Sequence, residues 1–174
     1  EKDIDEKAIK ESEMIFLEGY LWDEGEAKSA FNKAMLHANK TAMTLSDQFC
    51  VERHKESFLD LVKNKLDIIF ANEQEIRSLI NAKKFDEVVT FGKQLGKALI
   101  ITRGEHGSVA IIKDEVVECD SKKYLKILDL TGAGDLFAAG FLHGQINGFS
   151  TKESLEKGTE MSSKIIQKIG ARLN

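Results

Sequence analysis

The stretch Ile127-Leu-Asp-Leu-Thr-Gly-Ala-Gly-Asp-Leu-Phe-Ala-Ala-Gly-Phe141 holds the residue types and spacing best suited to chemistry. It reads as a strand end, a glycine turn and the start of an apolar helix. Gly132 and Gly134 let the backbone bend so that successive N–H groups face one point. With the positive end of the helix dipole behind them, those donors form a cradle for a phosphate-like anion. Asp135 stands in the first helical turn, just beyond the cradle. Like charges repel, so a carboxylate there is poorly suited to holding phosphate. It is well suited to taking a proton from a hydroxyl that attacks phosphorus. The plainer alternative is an aspartate that only offsets the helix dipole. Two better-known glycine loops do not match. Gly92-Lys93 is followed by Gln94, so there is no GxxxxGK[ST], and Phe137 stands where GxGxxG needs its third glycine. A dinucleotide-dependent oxidoreductase loses ground accordingly.

Two further segments end strands in the same manner. In Phe70-Ala-Asn72-Glu-Gln-Glu75-Ile, Asn72 and Glu75 offer oxygen atoms to a hydrated Mg²⁺, which prefers few protein ligands and several waters. The same pair also fits a helix capping box, and one side chain can serve both purposes. In Ile100-Ile-Thr102-Arg-Gly104-Glu-His-Gly107, small residues would let a flat nucleotide or its phosphates lie against the backbone. Arg103 and His106 are expected to face solvent, with a place near a phosphate as the alternative for Arg103. His37, His54 and His143 have no metal-ligand spacing, and no GxSxG elbow is present.

These turns need a scaffold, and alternation supplies it. Met14–Tyr20, Ala42–Leu45, Leu66–Ala71 and Ala98–Thr102 are apolar runs of strand length. Between them, 24–39, 51–63 and 85–95 carry apolar residues at helical steps of three and four. Strands alternating with helices predict a mainly parallel sheet covered on both faces, a three-layer α/β/α unit spanning 1–174. Ser108–Ile112 and Glu115–Cys119, separated by Lys113-Asp114, predict a β-hairpin. Ile127–Asp129 is expected to return to the main sheet. A helix then runs to about Asn147, and another over 151–169 turns Leu155, Met161, Ile165, Ile166 and Ile169 inward.

Composition sets bounds. The 174 residues are 42% hydrophobic and 31% charged, as in an ordinary globular protein. A net charge of −4 gives no electrostatic case for nucleic acid or an anionic membrane. Cys50 and Cys119 form no CxxC pair and read as buried, reduced thiols, which argues against a cysteine zinc site. No apolar run approaches a membrane span and no signal peptide is visible, so the cytoplasm is the expected location. The chain begins at Glu1 rather than Met and contains no proline, and the former suggests a preceding segment or one removed by processing.

In this order and spacing the three segments resemble the ribokinase-like, or phosphofructokinase-B type, family of carbohydrate and nucleoside kinases. The resemblance runs from about Met14 to Leu173. The string Asp129-Leu-Thr-Gly-Ala-Gly-Asp135 is similar to the family's DTxGAGD signature, with Leu130 in place of the usual Thr. The resemblance implies ATP as donor, Mg²⁺ as cofactor and a sugar or nucleoside hydroxymethyl group as acceptor. It makes Asp135 the general base and Gly132, Ala133 and Gly134 the anion hole. It gives Asn72 and Glu75 to Mg²⁺ and phosphate, Thr102, Gly104 and Gly107 to the nucleotide, and Asp129 and Thr131 to a monovalent cation such as K⁺. The 167–173 stretch resembles the late loop near adenine and that cation. Ser46–His54, Glu18-Gly19-Tyr20 and Gly170-Ala-Arg172 look closest to bacterial adenosine-kinase-like members. Family members are about twice this length; their N-terminal half, with its acceptor motif and β lid, has no counterpart here. The chain alone is therefore expected to be inactive, with an unpaired sheet edge. The resemblance leaves room for a homodimer, and for a nucleotide-binding regulatory protein that has lost turnover.

Overall fold

Four apolar runs, each followed by an amphipathic stretch, build the scaffold in the computed structural model, which describes residues 2–23 and 25–173. Strands β1 (Ile15–Glu18), β2 (Thr41–Thr44), β3 (Ile68–Asn72) and β4 (Ala98–Thr102) lie side by side in chain order, all parallel. Crossovers between parallel strands are right-handed, so strands laid down in one direction send every crossover to one face. Helices α2 (Ala27–His37), α3 (Gln48–Arg53), α4 (Lys55–Asn64), α5 (Glu73–Ile80) and α6 (Phe85–Leu95) make that layer, and α1 (Glu6–Glu11) packs on α2.

Period-two alternation then sorts the core. Met43, Ile69, Ala71, Leu99 and Ile101 pack toward the crossover layer, against Phe31, Phe58, Val62 and Ile76. Ala42, Ile68, Phe70 and Ile100 point the other way. There they meet Phe137, Phe141 and Leu155 of α7 (Ala133–Ile146) and α8 (Thr151–Ile165). Burying a Phe or Leu here is worth about 1.5–3 kcal/mol, so both faces contribute to holding the sheet. The hairpin forms as expected: β5 (Ser108–Ile112) and β6 (Glu115–Cys119) extend the sheet antiparallel, with Lys113 at φ +55° in the turn. The architecture is the three-layer α/β/α arrangement with a mostly parallel six-stranded sheet.

Several expectations change. The single helix expected over 51–63 is two, α3 and α4, meeting at His54, where ψ of 24° leaves the helical range. Helix α2 starts at Ala27, after a 3₁₀ turn over Gly19–Asp23 that buries Trp22; Glu24 lies outside the described residues. Ile127–Asp129 does not rejoin the sheet. The N–H groups of Leu128 and Asp129 donate to the Ile166 carbonyl at 2.8 and 3.3 Å, and Ile127 is exposed. Helix α8 stops at Ile165, so Ile169, extrapolated along its stripe, is exposed instead of inward. Among the described residues, β1 pairs only with β2; its outer edge is open and Phe16 is partly exposed. No described helix is long and apolar enough to cross a membrane.

Candidate functional site

Ligand sites in parallel sheets lie beyond the carboxyl ends of the strands, and here the register aligns them. Asn72 at the end of β3 pairs with Thr102 at the end of β4, Thr102 with Ser108, and Ser108 with Cys119. Thr102 continues the alternation of Ile100, so it faces α7 and α8. A cleft of ≈ 700 Å³ opens at this edge. Thr102, Gly104 and Gly107 line one side of it, and Ala133 and Gly134 line another. Two segments thirty residues apart in sequence thus share one cavity, although only the first of them follows a strand.

The glycines are explained by geometry. Gly132 is the N-cap of α7 at φ +78°, and a Cβ there would lie 3.0 Å from the Ala171 methyl. At Gly107, φ is +82° and a Cβ would come within 2.0 Å of the Cys119 carbonyl oxygen. A side chain at either position would meet backbone or methyl, so the turns close only with glycine. At the start of α7 the Ala133 N–H donates to Leu130 O at 3.1 Å, while those of Gly134 and Asp135 have no acceptor among the described residues. Two unfilled donors at the positive end of a fourteen-residue helix favour an anion. Asp135 is exposed in that turn, with no hydrogen-bond partner among the described residues.

Asn72 and Glu75 form the capping box. The Asn72 side chain accepts from the Glu75 N–H at 2.8 Å, and Glu75 Oε2 accepts from the Asn72 N–H at 2.9 Å. Asn72 Nδ2 also donates to Glu75 Oε1 at 2.5 Å. Glu75 is only 4% exposed. Burial pushes its carboxyl up to about 7, assisted by the charge of Asp47 and opposed by the Asn72 hydrogen bonds. Both residues lie beside the cleft, outside its lining. Since both Glu75 oxygens are engaged, the pair fits a hydrated Mg²⁺ reached through water.

Asp129 and Thr131 also flank the cleft. Asp129 Oδ1 accepts from the Thr131 hydroxyl at 2.7 Å and its N–H at 2.9 Å, and Oδ2 accepts from the Gly170 N–H at 2.8 Å. Those bonds, the Thr131 hydroxyl foremost, hold the carboxyl down at about 2. Three donors already occupy this carboxylate, so its evident work is to pin the 166–173 loop to the glycine turn.

Arg103 is not solvent-facing. Its Nε donates to Glu73 Oε2 at 2.8 Å and its guanidinium lies 3.6 Å from the Phe85 ring centroid. Glu73 opens α5 and Phe85 opens α6, so Arg103 ties the turn after β4 to both. His106 is exposed as expected, His54 stacks near Phe58, and His37 faces Glu6 at 3.3 Å.

The sequence reading did not single out most of the cleft wall. Leu125, Ile127, Leu130, Phe137 and Ile166 supply apolar surface, and Ser108, Thr159 and Ser163 a buried polar floor. One signal was present: Thr159 and Ser163 interrupt the inward stripe of α8 at a spacing of four. Buried polar side chains on a core-facing stripe ask for partners.

A family model described as pfkB family carbohydrate kinase matches residues 1–174. The chain belongs to the pfkB family of carbohydrate kinases. Its similarity to an adenosine kinase from Sinorhizobium meliloti is 37% identity at a TM-score of 0.92, covering 99% of this chain and 54% of that one. A nucleoside kinase from Methanocaldococcus jannaschii is 31% identical over 120 residues, 69% of this chain and 39% of its own length. A 5-dehydro-2-deoxygluconokinase from Clostridium beijerinckii is 26% identical over 177 residues, 94% of this chain and 52% of its own length. The chain therefore spans about half or less of the pfkB relatives it matches, and it matches their fold across nearly all of its own length.

Proposed function

We propose that the chain is the nucleotide-handling portion of a cytoplasmic kinase that transfers the γ-phosphoryl group of ATP to a hydroxymethyl group on a sugar or nucleoside. The observation that carries this reading is the start of α7. An exposed, unpaired carboxylate, Asp135, directly follows two unfilled N–H donors, those of Gly134 and of Asp135 itself, at the rim of the ≈ 700 Å³ cleft. Asp135 accepts the proton of the attacking hydroxyl as its oxygen bonds to phosphorus and the bond to the ADP oxygen breaks. The unfilled N–H groups of Gly134 and Asp135, presented by the turn over 132–134, stabilise the charge on the phosphoryl oxygens without reorganising, whereas the Ala133 N–H is taken by Leu130 O. Thr102, Gly104 and Gly107 offer the nucleotide a close backbone surface. Mg²⁺, when bound, neutralises phosphate charge, with Asn72 and Glu75 holding its waters. Asp129 and Thr131 order the loop beside it, and a monovalent cation would share their oxygens.

Binding alone has no need of Asp135, which favours a kinase over a regulatory nucleotide-binding protein. The test is Asp135→Asn in a protein that also carries the N-terminal half its relatives have. Turnover should fall about 10²–10⁴-fold, the usual size of a lost general base, with nucleotide affinity retained. Near-normal turnover would overturn the reading. The 174-residue chain by itself should bind nucleotide and transfer no phosphate.

A further inference from the structure

The deep end of the cleft is chemically uniform. Ser108 comes from β5, while Thr159 and Ser163 stand one turn apart on α8. All three line the cavity at 2%, 6% and 9% exposure. Their hydroxyls are loosely engaged. Ser108 Oγ and Thr159 Oγ1 are 3.4 Å apart, Thr159 Oγ1 is 3.6 Å from Cys119 Sγ, and Ser163 Oγ has no partner among the described residues. An O–H···O bond is normally 2.5–3.0 Å long, so the Ser108–Thr159 contact is a weak one that a better partner could replace. The Ser163 hydroxyl opens to the cleft with its bonding capacity unused, which leaves it available to a ligand.

The walls above this floor are apolar, which suits a flat aromatic ring. The side chains lining the cleft include no Asn, Gln, Asp, Arg or His, and its charged ones, Glu105, Lys122 and Lys123, are solvent-exposed. The side chains that can meet the edge of a buried base are therefore hydroxyls. An amide or carboxylate fixes which atom donates and which accepts. A hydroxyl does either, according to how it rotates.

We infer that this cleft takes 6-amino and 6-oxo purine nucleotides alike. The inference rests on the nucleotide reading above and adds the class of base accepted. Adenine offers a donor at its 6-position and an acceptor at N1; a 6-oxopurine offers the reverse. Rotating the Thr159 and Ser163 hydroxyls converts one pattern into its complement with no movement of the chain. A site with a fixed array would leave buried groups unpaired and reject the wrong base by about 10⁴-fold or more.

ATP and ITP differ only at this edge, so they are the probes. Each is titrated into the 174-residue chain by calorimetry, and into the Thr159→Val, Ser163→Ala and Thr159→Ser variants, with circular dichroism confirming the fold. The two Kd values should agree within about tenfold. Thr159→Val and Ser163→Ala should weaken both nucleotides by a similar factor, about fivefold, because one hydroxyl serves both. Thr159→Ser keeps the hydroxyl and should weaken both nucleotides less than Thr159→Val does. ITP binding more than about 100-fold weaker than ATP, or a hydroxyl deletion that weakens only one nucleotide, overturns the inference alone. A folded chain that binds neither overturns the nucleotide reading and this inference with it.

Discussion

Gly170 donates its backbone N–H to Asp129 Oδ2 at 2.8 Å, a bond between residues 41 positions apart. With the two bonds from Thr131 to Oδ1, it makes one carboxylate the joint between the C-terminal loop and the glycine turn. Asp129→Asn keeps an acceptor for Thr131 but turns an N–H donor toward Gly170. The amides of Gly170 and Thr131 should then exchange with solvent at least about tenfold faster, read by hydrogen exchange. The pH dependence has a definite sign. The folded carboxyl is held below its ordinary 3.8, at about 2, so its stabilisation is complete above about pH 4. It should be lost as pH falls through 2, and the variant should lack that acid-side transition.

The two glycines of the anion cradle should separate under the same substitution. Gly132→Ala places a Cβ at φ +78° and 3.0 Å from Ala171. It should cost about 1–2 kcal/mol and lower the Tm by about 2–8 °C. A Cβ on Gly134 meets nothing within 4 Å, and the residue lines the cleft. Gly134→Ala should leave stability within about 0.5 kcal/mol. Its methyl would occupy ligand space, so nucleotide affinity should fall about tenfold or more. Thermal unfolding and nucleotide titration of both variants check the pair.

Glu75 should make stability fall as pH rises through neutrality. Its folded carboxyl titrates at about 7 against an ordinary 4.5, so the folded state retains a proton that the unfolded state releases. The stabilisation is full below about pH 4.5 and lost as pH rises through 7. The difference is on the order of 3 kcal/mol. Glu75→Gln should flatten urea-unfolding free energies between pH 5 and 8 and exceed the parent at pH 8. If water-borne Mg²⁺ is held here, the same variant should weaken the Mg²⁺ dependence of nucleotide binding.

How legible the chain was depended on the range of the forces involved. β4 and the hairpin appear at the predicted residues because their signals, continuous apolar runs and a two-residue turn, are local. Asn72 and Glu75 were readable as a cap because a capping box is written within four residues. Ile127–Asp129 was misread as strand because its apolar side chains say nothing about the Ile166 carbonyl that takes its N–H groups. The cleft floor escaped notice for the same reason: Ser108 and Thr159 are 51 residues apart and meet only once α8 lies on β5.

Arg103 is the clearest case of a tertiary partner overriding a local reading. Its guanidinium is shared between Glu73 at the start of α5 and Phe85 at the start of α6, and only about a fifth of the side chain is exposed. Arg103→Ala removes both the ion pair and the stacked surface and leaves Glu73 half-buried, with its longer 3.5 Å contact to Arg77 remaining. It should cost about 1–3 kcal/mol by urea unfolding. Arg103→Lys restores a charge without the planar surface that covers Phe85, so it should recover less than half of that loss. Full recovery by lysine would mean that charge alone, and not the stacked guanidinium, holds the turn after β4 in place.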